Sequence, residues 1–525
     1  MLRRTIIENG AVEGLPAADP RITAFKGIPF AAPPTGNLRW RPPQPAQNWE
    51  GVLKAYTFGP IAMQETPGLN PDNIYTREWH VDPEVPMSED CLQLNVWTPA
   101  KRTDEKLPVM VWIFGGGLNV GYPSEMEFDG ERIARRGIVF VSINYRLNVF
   151  GFLAHPEITA ENPGKATNFG HWDQKTGIEW VKRNIAAFGG DPENITVFGQ
   201  SAGGGSTIIQ LASPLNKGLF RRAIVHSGGG LLPPILNSPT LREAEKAGEE
   251  FFKFIGVKSL SEARALDAKF ILEKGIEFTS QYFWGSVIDG SLIPDYPSYV
   301  IMDGKANNVD LIIGNTANEF IVNPNAASLD ELEKYARDKY GDDAGKYLDI
   351  CKLNADSVEQ MNRNGSFNWF EIGNLLWGEV NNRQKASKLY YFVFDPEIPG
   401  PDRPGSFHSS DLWFAFETLA KCWRPFTGKH YDLARQMCNY WTNFARCGNP
   451  NGNDSDGTPM PEWSGYSAEN PYPMLFGDKA GMDKTARSEL KNFLVEYYMK
   501  KLEKRELNNV ESLLIPRPGA RRNRL

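Results

Sequence analysis

The run Ile195-Thr196-Val197-Phe198 passes directly into Gly199-Gln200-Ser201-Ala202-Gly203, and Ala202 to Leu211 then continues with helical character. A chain can leave a buried strand and enter a helix across one serine only by a very sharp turn. The small residues around Ser201 allow that turn, which would hold its hydroxyl proud of a sheet edge. The G-x-S-x-G pattern alone is weak. With 49 glycines in 525 residues, chance supplies roughly a quarter of an occurrence per chain of this composition. The constraint comes from the context: strand before, helix after, and a serine where the two meet.

Further short β-branched and aromatic runs recur at wide intervals: Leu92 to Trp97, Val109 to Phe114, Ile138 to Ile143, Ala223 to Val225, Leu311 to Ile313 and Tyr390 to Phe394. Near-continuous apolar runs of this length suit strands buried on both faces. Helical spacing lies between them, as in Asp173 to Ala187 (Ile178, Val181, Ile185) and Tyr431 to Arg446 (Leu433, Met437, Tyr440, Phe444). Alternation of this kind predicts an α/β fold with a mostly parallel central sheet. Two long stretches, about 230 to 290 and 325 to 385, have helical periodicity without strong strands and read as insertions that wall a pocket. No repeat, low-complexity tract or Gly/Ser linker divides the chain, and its one notable charge run is Arg517 to Arg524, so residues 1–525 are expected to form one domain.

Composition removes several classes of function. The 57 basic and 64 acidic side chains leave a net charge of −7, the opposite of the basic footprint that nucleic acid requires. No apolar run nears the roughly 18 residues of a membrane-spanning helix. Glu8 and Asn9 interrupt the N-terminal segment before a secretion signal can form. The expectation is a cytoplasmic protein, or a secreted one whose leader has been removed. Five cysteines, Cys91, Cys351, Cys422, Cys438 and Cys447, are too few and too scattered for a disulfide framework or a CxxC zinc pair. Asn451 to Gly457 has the look of a calcium loop but lacks the bidentate glutamate, which leaves a plain surface loop.

A nucleophilic serine that transfers acyl groups also needs donors for an oxyanion. Phe114-Gly115-Gly116-Gly117-Leu118 closes a strong strand with backbone unencumbered by side chains, and Gly116, Gly117 and Ala202 are the expected amides. A phosphate cradle is excluded, because no Lys-Ser/Thr follows. Among the six histidines, His80, His155, His171, His226, His408 and His430, the order serine, acid, histidine leaves His408 and His430. His430 opens a helix and reads as a surface or helix N-terminal residue, whereas His408 lies in a loop after the strand ending at Phe394, where an imidazole can be aimed. For the acid, Glu319 beyond Leu311 to Ile313 comes first, with Asp395 and Asp289 as rivals by position. Trp413, Phe414 and Phe416, just after His408, suit either a pocket lining or the core.

Taken together these residues resemble the type-B carboxylesterase family, the α/β-hydrolase branch that includes cholinesterases, liver carboxylesterases and bacterial esterases. Phe25-Lys26-Gly27-Ile28-Pro29-Phe30 with Leu38-Arg39-Trp40 is similar to its N-terminal signature, and Ser88-Glu89-Asp90-Cys91-Leu92 to its second. Phe188-Gly189-Gly190-Asp191-Pro192 and Tyr440-Trp441-Thr442-Asn443-Phe444 extend the resemblance over nearly the whole chain. It implies an α/β-hydrolase fold and ester hydrolysis through Ser201, Glu319 and His408, with no metal or organic cofactor and a small-molecule ester as partner. Three positions depart from the family pattern. Ala62 stands where the usual disulfide partner of Cys91 would be, Gln200 where many members carry glutamate, and glycine follows Ser227-Gly228 where many keep a second serine near the acid.

Relatives that keep this fold and lose the chemistry as binding proteins typically lack the serine or the histidine, and both are present here. Within the enzymes, a feruloyl-type esterase and a lipase are the alternatives. The segment Gln64 to Asp90 weighs against the lipase. It has Glu65, Asp72, Glu78, Asp82, Glu84, Glu89 and Asp90 against Arg77, and Pro67, Pro71, Pro83 and Pro86 deny it a long amphipathic helix. It is expected to form a solvated acidic loop over the pocket rather than a face for an oil surface.

Overall fold

The runs read as strands become the inner strands of an eleven-stranded sheet. The computed structural model describes residues 1–65, 74–79, 85–232 and 238–507. In chain order the strands are β1 (Leu15–Pro16), β2 (Thr23–Pro29), β3 (Gln93–Thr98), β4 (Leu107–Ile113), β5 (Val139–Ile143), β6 (Gly190–Gln200), β7 (Arg222–His226), β8 (Asp310–Thr316), β9 (Leu389–Phe394), β10 (Met474–Phe476) and β11 (Ala480–Met482). They lie in the order β11-β10-β9-β8-β7-β6-β4-β5-β3-β2-β1. From β5 through β4, β6, β7, β8 and β9 to β10 every pair is parallel, and antiparallel pairs close both edges. This is the α/β-hydrolase sheet. Its parallel strands need helices on both faces, which is why their side chains are apolar on both sides. Val109, Val111, Val139, Val141, Ile224 and Ile312 are all fully buried.

Helices Phe169–Asn184, Ala202–Ala212 and Gly428–Cys447 pack against this sheet. The two helical stretches resolve into Leu241–Ile255, Leu260–Ala265 and Ala268–Phe278, and into Leu329–Tyr340, Ala344–Lys352, Val358–Asn364 and Trp369–Gln384. Trp413, Phe414 and Phe416 belong to the core. Phe416 meets Trp112 at 4.9 Å between ring centroids, and Phe414 meets Phe394 at 4.9 Å. No described helix is long and apolar enough to cross a membrane.

Two expectations change. His430 does sit in the first turn of its helix, but it is buried, with Nδ1 accepting the Thr427 N–H and Nε2 facing the Glu397 carbonyl. The segment 64–90 is not simply a solvated acidic loop either. Glu78, in the short helix Ile74–Glu78, is buried against the Arg424 guanidinium at 2.7 Å, and Glu89 is paired with Arg39. Such a partner offsets the cost of taking a carboxylate into the interior, and here the partners come from distant parts of the chain. Asp72, Asp82, Glu84, His80, Pro67, Pro71, Pro83 and the run 517–524 lie outside the described residues.

All five cysteines are free thiols, four of them buried or half-buried and Cys447 exposed. In the loop 451–457, Asp454 accepts hydrogen bonds from Arg435, so its carboxylate is already engaged by a cation of this chain.

Candidate active site

At the carboxyl end of β6 the chain turns at Ser201, whose φ of 56° and ψ of −125° lie in a region that side chains rarely adopt. The turn is held by hydrogen bonds on both sides. Ser201 N–H donates to the His226 carbonyl at 3.0 Å, and Gly205 N–H to the Ser201 carbonyl at 2.8 Å. Glycine is required beside the serine by contact. A side chain at Gly203 would meet the Ile113 carbonyl, and one at Gly199 the Gly203 carbonyl, at 2.1 and 2.3 Å.

His408 is brought to the serine by the loop after β9. Its Nε2 is 2.7 Å from Ser201 Oγ, and its Nδ1 is hydrogen-bonded to Glu319 Oε2. Glu319 lies three residues beyond β8 and is nearly fully buried. Its other oxygen accepts the Thr316 N–H at 3.0 Å and the Ser227 hydroxyl at 2.7 Å. Ser227 thus supplies a serine at the acid after all. The departure at Gly229 leaves this contact intact, since the residue that reaches Glu319 comes two positions earlier, right after β7. The two loops are joined directly: Asn318 N–H donates to the Ser406 carbonyl at 3.1 Å, and Ser406 N–H to Asn318 Oδ1 at 2.9 Å.

The rival acids face elsewhere. Asp395 accepts the Ser406 hydroxyl, and Asp289 caps its own turn through the N–H groups of Ser291 and Ile293 while accepting from Asn168. The other described histidines are also committed. His155 caps helix Pro156–Glu161, and His171 is buried between Gln174 and Ser286, where desolvation pushes it down to about 4 and keeps it neutral. His226 lies between Asp411 and Trp441.

Across the serine, the loop after β4 has φ of 105° at Gly116, 64° at Gly117 and 62° at Leu118. Backbone of this hand turns successive amides away from the strand, and Gly116 and Gly117 are exposed. The loop lies so close to the serine that a side chain at Gly115 would be 3.1 Å from Ser201 Cβ. It is pinned at its far end by buried Gln64, which accepts the Gly121 N–H at 2.8 Å and donates to the Gly121 carbonyl at 3.0 Å. Tyr145 stacks on Phe114 and donates to its carbonyl at 2.8 Å. Ala202 opens the helix Ala202–Ala212, so its N–H lies at the favourable end of the helix dipole.

The rings around His408 are ones the sequence did not single out. Phe320 meets the His408 ring edge-on at 4.9 Å and Phe370 at 6.1 Å. Tyr75 stacks on Trp79 at 5.5 Å, and both meet Phe407. These residues come from four separate segments of the chain, and no local pattern marks them as neighbours.

The family model described as the carboxylesterase family matches residues 4–494. The chain is 34% identical to the bile salt-activated lipase of Bos taurus over 88% of this chain and 82% of that one. It is 31% identical to the para-nitrobenzyl esterase of Bacillus subtilis (strain 168) over 89% of this chain and 93% of the relative. A crystal structure of a carboxylesterase of Geobacillus stearothermophilus at pH 6.2 superposes with a TM-score of 0.75 at 29% identity, covering 94% of this chain and all of the other.

Proposed function

The chain belongs to the carboxylesterase family and is a carboxylic ester hydrolase, and we propose that it works through an acyl-enzyme on Ser201, with His408 as base, Glu319 as acid and the amides of Gly116, Gly117 and Ala202 as the oxyanion hole. One observation carries the assignment: a serine on a strained elbow, 2.7 Å from an imidazole whose other nitrogen is held by a buried carboxylate. With Nδ1–H directed at Glu319, the lone pair of Nε2 is left to accept the serine proton.

As Oγ attacks the ester carbonyl, Nε2 takes the hydroxyl proton and the carbonyl oxygen becomes an oxyanion on the three amides. The imidazolium, stabilised by Glu319, returns that proton to the departing alkoxide, and the alcohol leaves. Water then repeats the sequence on the acyl-enzyme, releasing the acid and restoring the serine. Every group these steps need belongs to this chain. We also read the chain as one domain, because strands from residue 15 to residue 482 share one sheet.

Covalent labelling with a fluorophosphonate followed by peptide mass spectrometry tests the nucleophile. The adduct is expected on Ser201, and Ser201→Ala should lose it together with roughly a thousandfold or more of kcat while remaining folded. An adduct on another residue overturns the assignment.

A lipase reading has support from the bovine relative. The acid-rich sequence of segment 64–90 favours water-soluble esters, since an oil surface would strip solvent from charged side chains. Rate on a short-chain ester should therefore rise smoothly through its solubility limit. A jump on emulsification decides for the lipase.

A further inference from the structure

β6 and β7 are parallel neighbours whose last residues pair, Gln200 with His226. Both side chains are buried, and neither belongs to the Ser201–His408–Glu319 chain. Each reaches the same short segment, the one that follows the base. Gln200 Nε2 donates to Ser409 Oγ at 2.7 Å and lies 3.4 Å from His408 Nε2. His226 Nε2 accepts the Trp441 indole N–H at 2.7 Å, so its remaining proton is on Nδ1, which donates to Asp411 Oδ2 at 2.7 Å. The carbonyl of the same His226 accepts the Ser201 N–H. Residues 409 and 411 are thereby tied to the strand ends that carry the nucleophile.

Ser409 has a φ of +76°, in the left-handed region that glycine enters freely and other residues seldom do. A residue held there needs a compensating contact, or the segment relaxes and takes the adjoining imidazole with it. The His226–Asp411 pair is a fixed anchor two residues on. Gln200 is the contact next to the base, and it is the only one of the two whose side chain also touches the imidazole.

We propose that Gln200 is a positioning residue: its hydrogen bond to Ser409 holds the backbone beside His408 in the left-handed conformation that sets Nε2 against Ser201. The inference rests on His408 being the base. An ångström of misplacement in a reacting pair is worth roughly a hundredfold in rate, so the contact should show in turnover and not in substrate binding.

The test compares Gln200→Ala, Ser409→Ala, their double variant, Ser409→Gly and, as a reference, His408→Ala, on 4-nitrophenyl acetate with folding checked by circular dichroism. Gln200→Ala and Ser409→Ala should each lower kcat by about tenfold to a hundredfold with KM within about twofold, and the double variant should be no worse than either, because both remove one hydrogen bond. Ser409→Gly should keep more activity than Ser409→Ala, since glycine needs no contact to stay at positive φ. Multiplying losses in the double variant, a change confined to KM, or a folded Gln200→Ala with kcat within twofold of the parent overturns the proposal. If His408→Ala itself stays active, the base assignment fails instead, and the two failures are told apart by that one variant.

Discussion

A methyl group on Gly203 would have nowhere to go. Its Cβ would lie 2.1 Å from the Ile113 carbonyl oxygen, 2.6 Å from that of Phe114 and 2.7 Å from the Phe114 carbonyl carbon. These are backbone atoms at the end of β4 and the start of the triple-glycine loop, so no side chain can swing aside. To reach ordinary contact the start of the helix after Ser201 must retreat by about 1 Å, and Ser201 and the Ala202 amide retreat with it. Overpacking of this kind costs about 1–3 kcal/mol of stability. The larger effect falls on turnover, where a shift of about 1 Å between nucleophile, base and oxyanion donors is worth roughly a hundredfold, or about 2.7 kcal/mol of barrier. Two residues on, Gly205 has nothing nearer to its missing Cβ than the Gly228 carbonyl oxygen at 4.0 Å. Gly205→Ala should therefore stabilise the helix by about 0.5–1 kcal/mol and leave kcat nearly unchanged. The assay is kcat and KM on 4-nitrophenyl acetate beside urea midpoints for both variants. Parental kcat in Gly203→Ala, or an equal loss in Gly205→Ala, would refute the reasoning.

Glu319→Gln should cost about 10³- to 10⁴-fold in kcat through the wrong imidazole tautomer, whereas Asp395→Asn, which only loosens a bond to Ser406, should stay within about tenfold; the reverse order moves the acid to Asp395. Thiol titration without reductant should count five groups in denaturant and one fast group in native protein, because Cys447 alone is exposed; a denatured count of three would reveal a bridge. Lys339, set among the Tyr335, Tyr340 and Phe367 rings, is pushed down by burial to about 7. The unfolded chain holds that proton up to about pH 10.4, so the parent gains stability as pH rises from 7 to 10. Lys339→Met should be more stable than the parent at pH 6.5, with the difference shrinking by pH 10; urea midpoints showing a constant difference would refute this.

Much of this molecule was written locally. The seven apolar runs became seven strands because a strand covered on both faces must be apolar at every position, and that requirement is visible in any one stretch. The elbow was legible for the same kind of reason: Gly199 and Gly203 are fixed by contacts within a few residues of Ser201 and by the strand beside it. His408 followed from the order of elements along the chain.

Other features were settled by residues far apart in sequence. Glu319 and Asp395 both follow strands, and only the packing of β8 beside β9 turns one toward His408 and the other toward Ser406. Ser227 was not singled out in the sequence, and it is β7 lying beside β8 that sets its hydroxyl on Glu319. Glu78 read as one more solvated acid, yet Arg424, 346 positions away, takes it into the interior. Gln200 looked like the mere loss of a charge, and its role toward Ser409 depends on a loop 209 residues later. Periodicity and turn chemistry act over a few residues and can be read from them. The direction of a buried polar side chain depends on which partner the completed sheet delivers, because leaving that group unpaired costs more than any local preference can return.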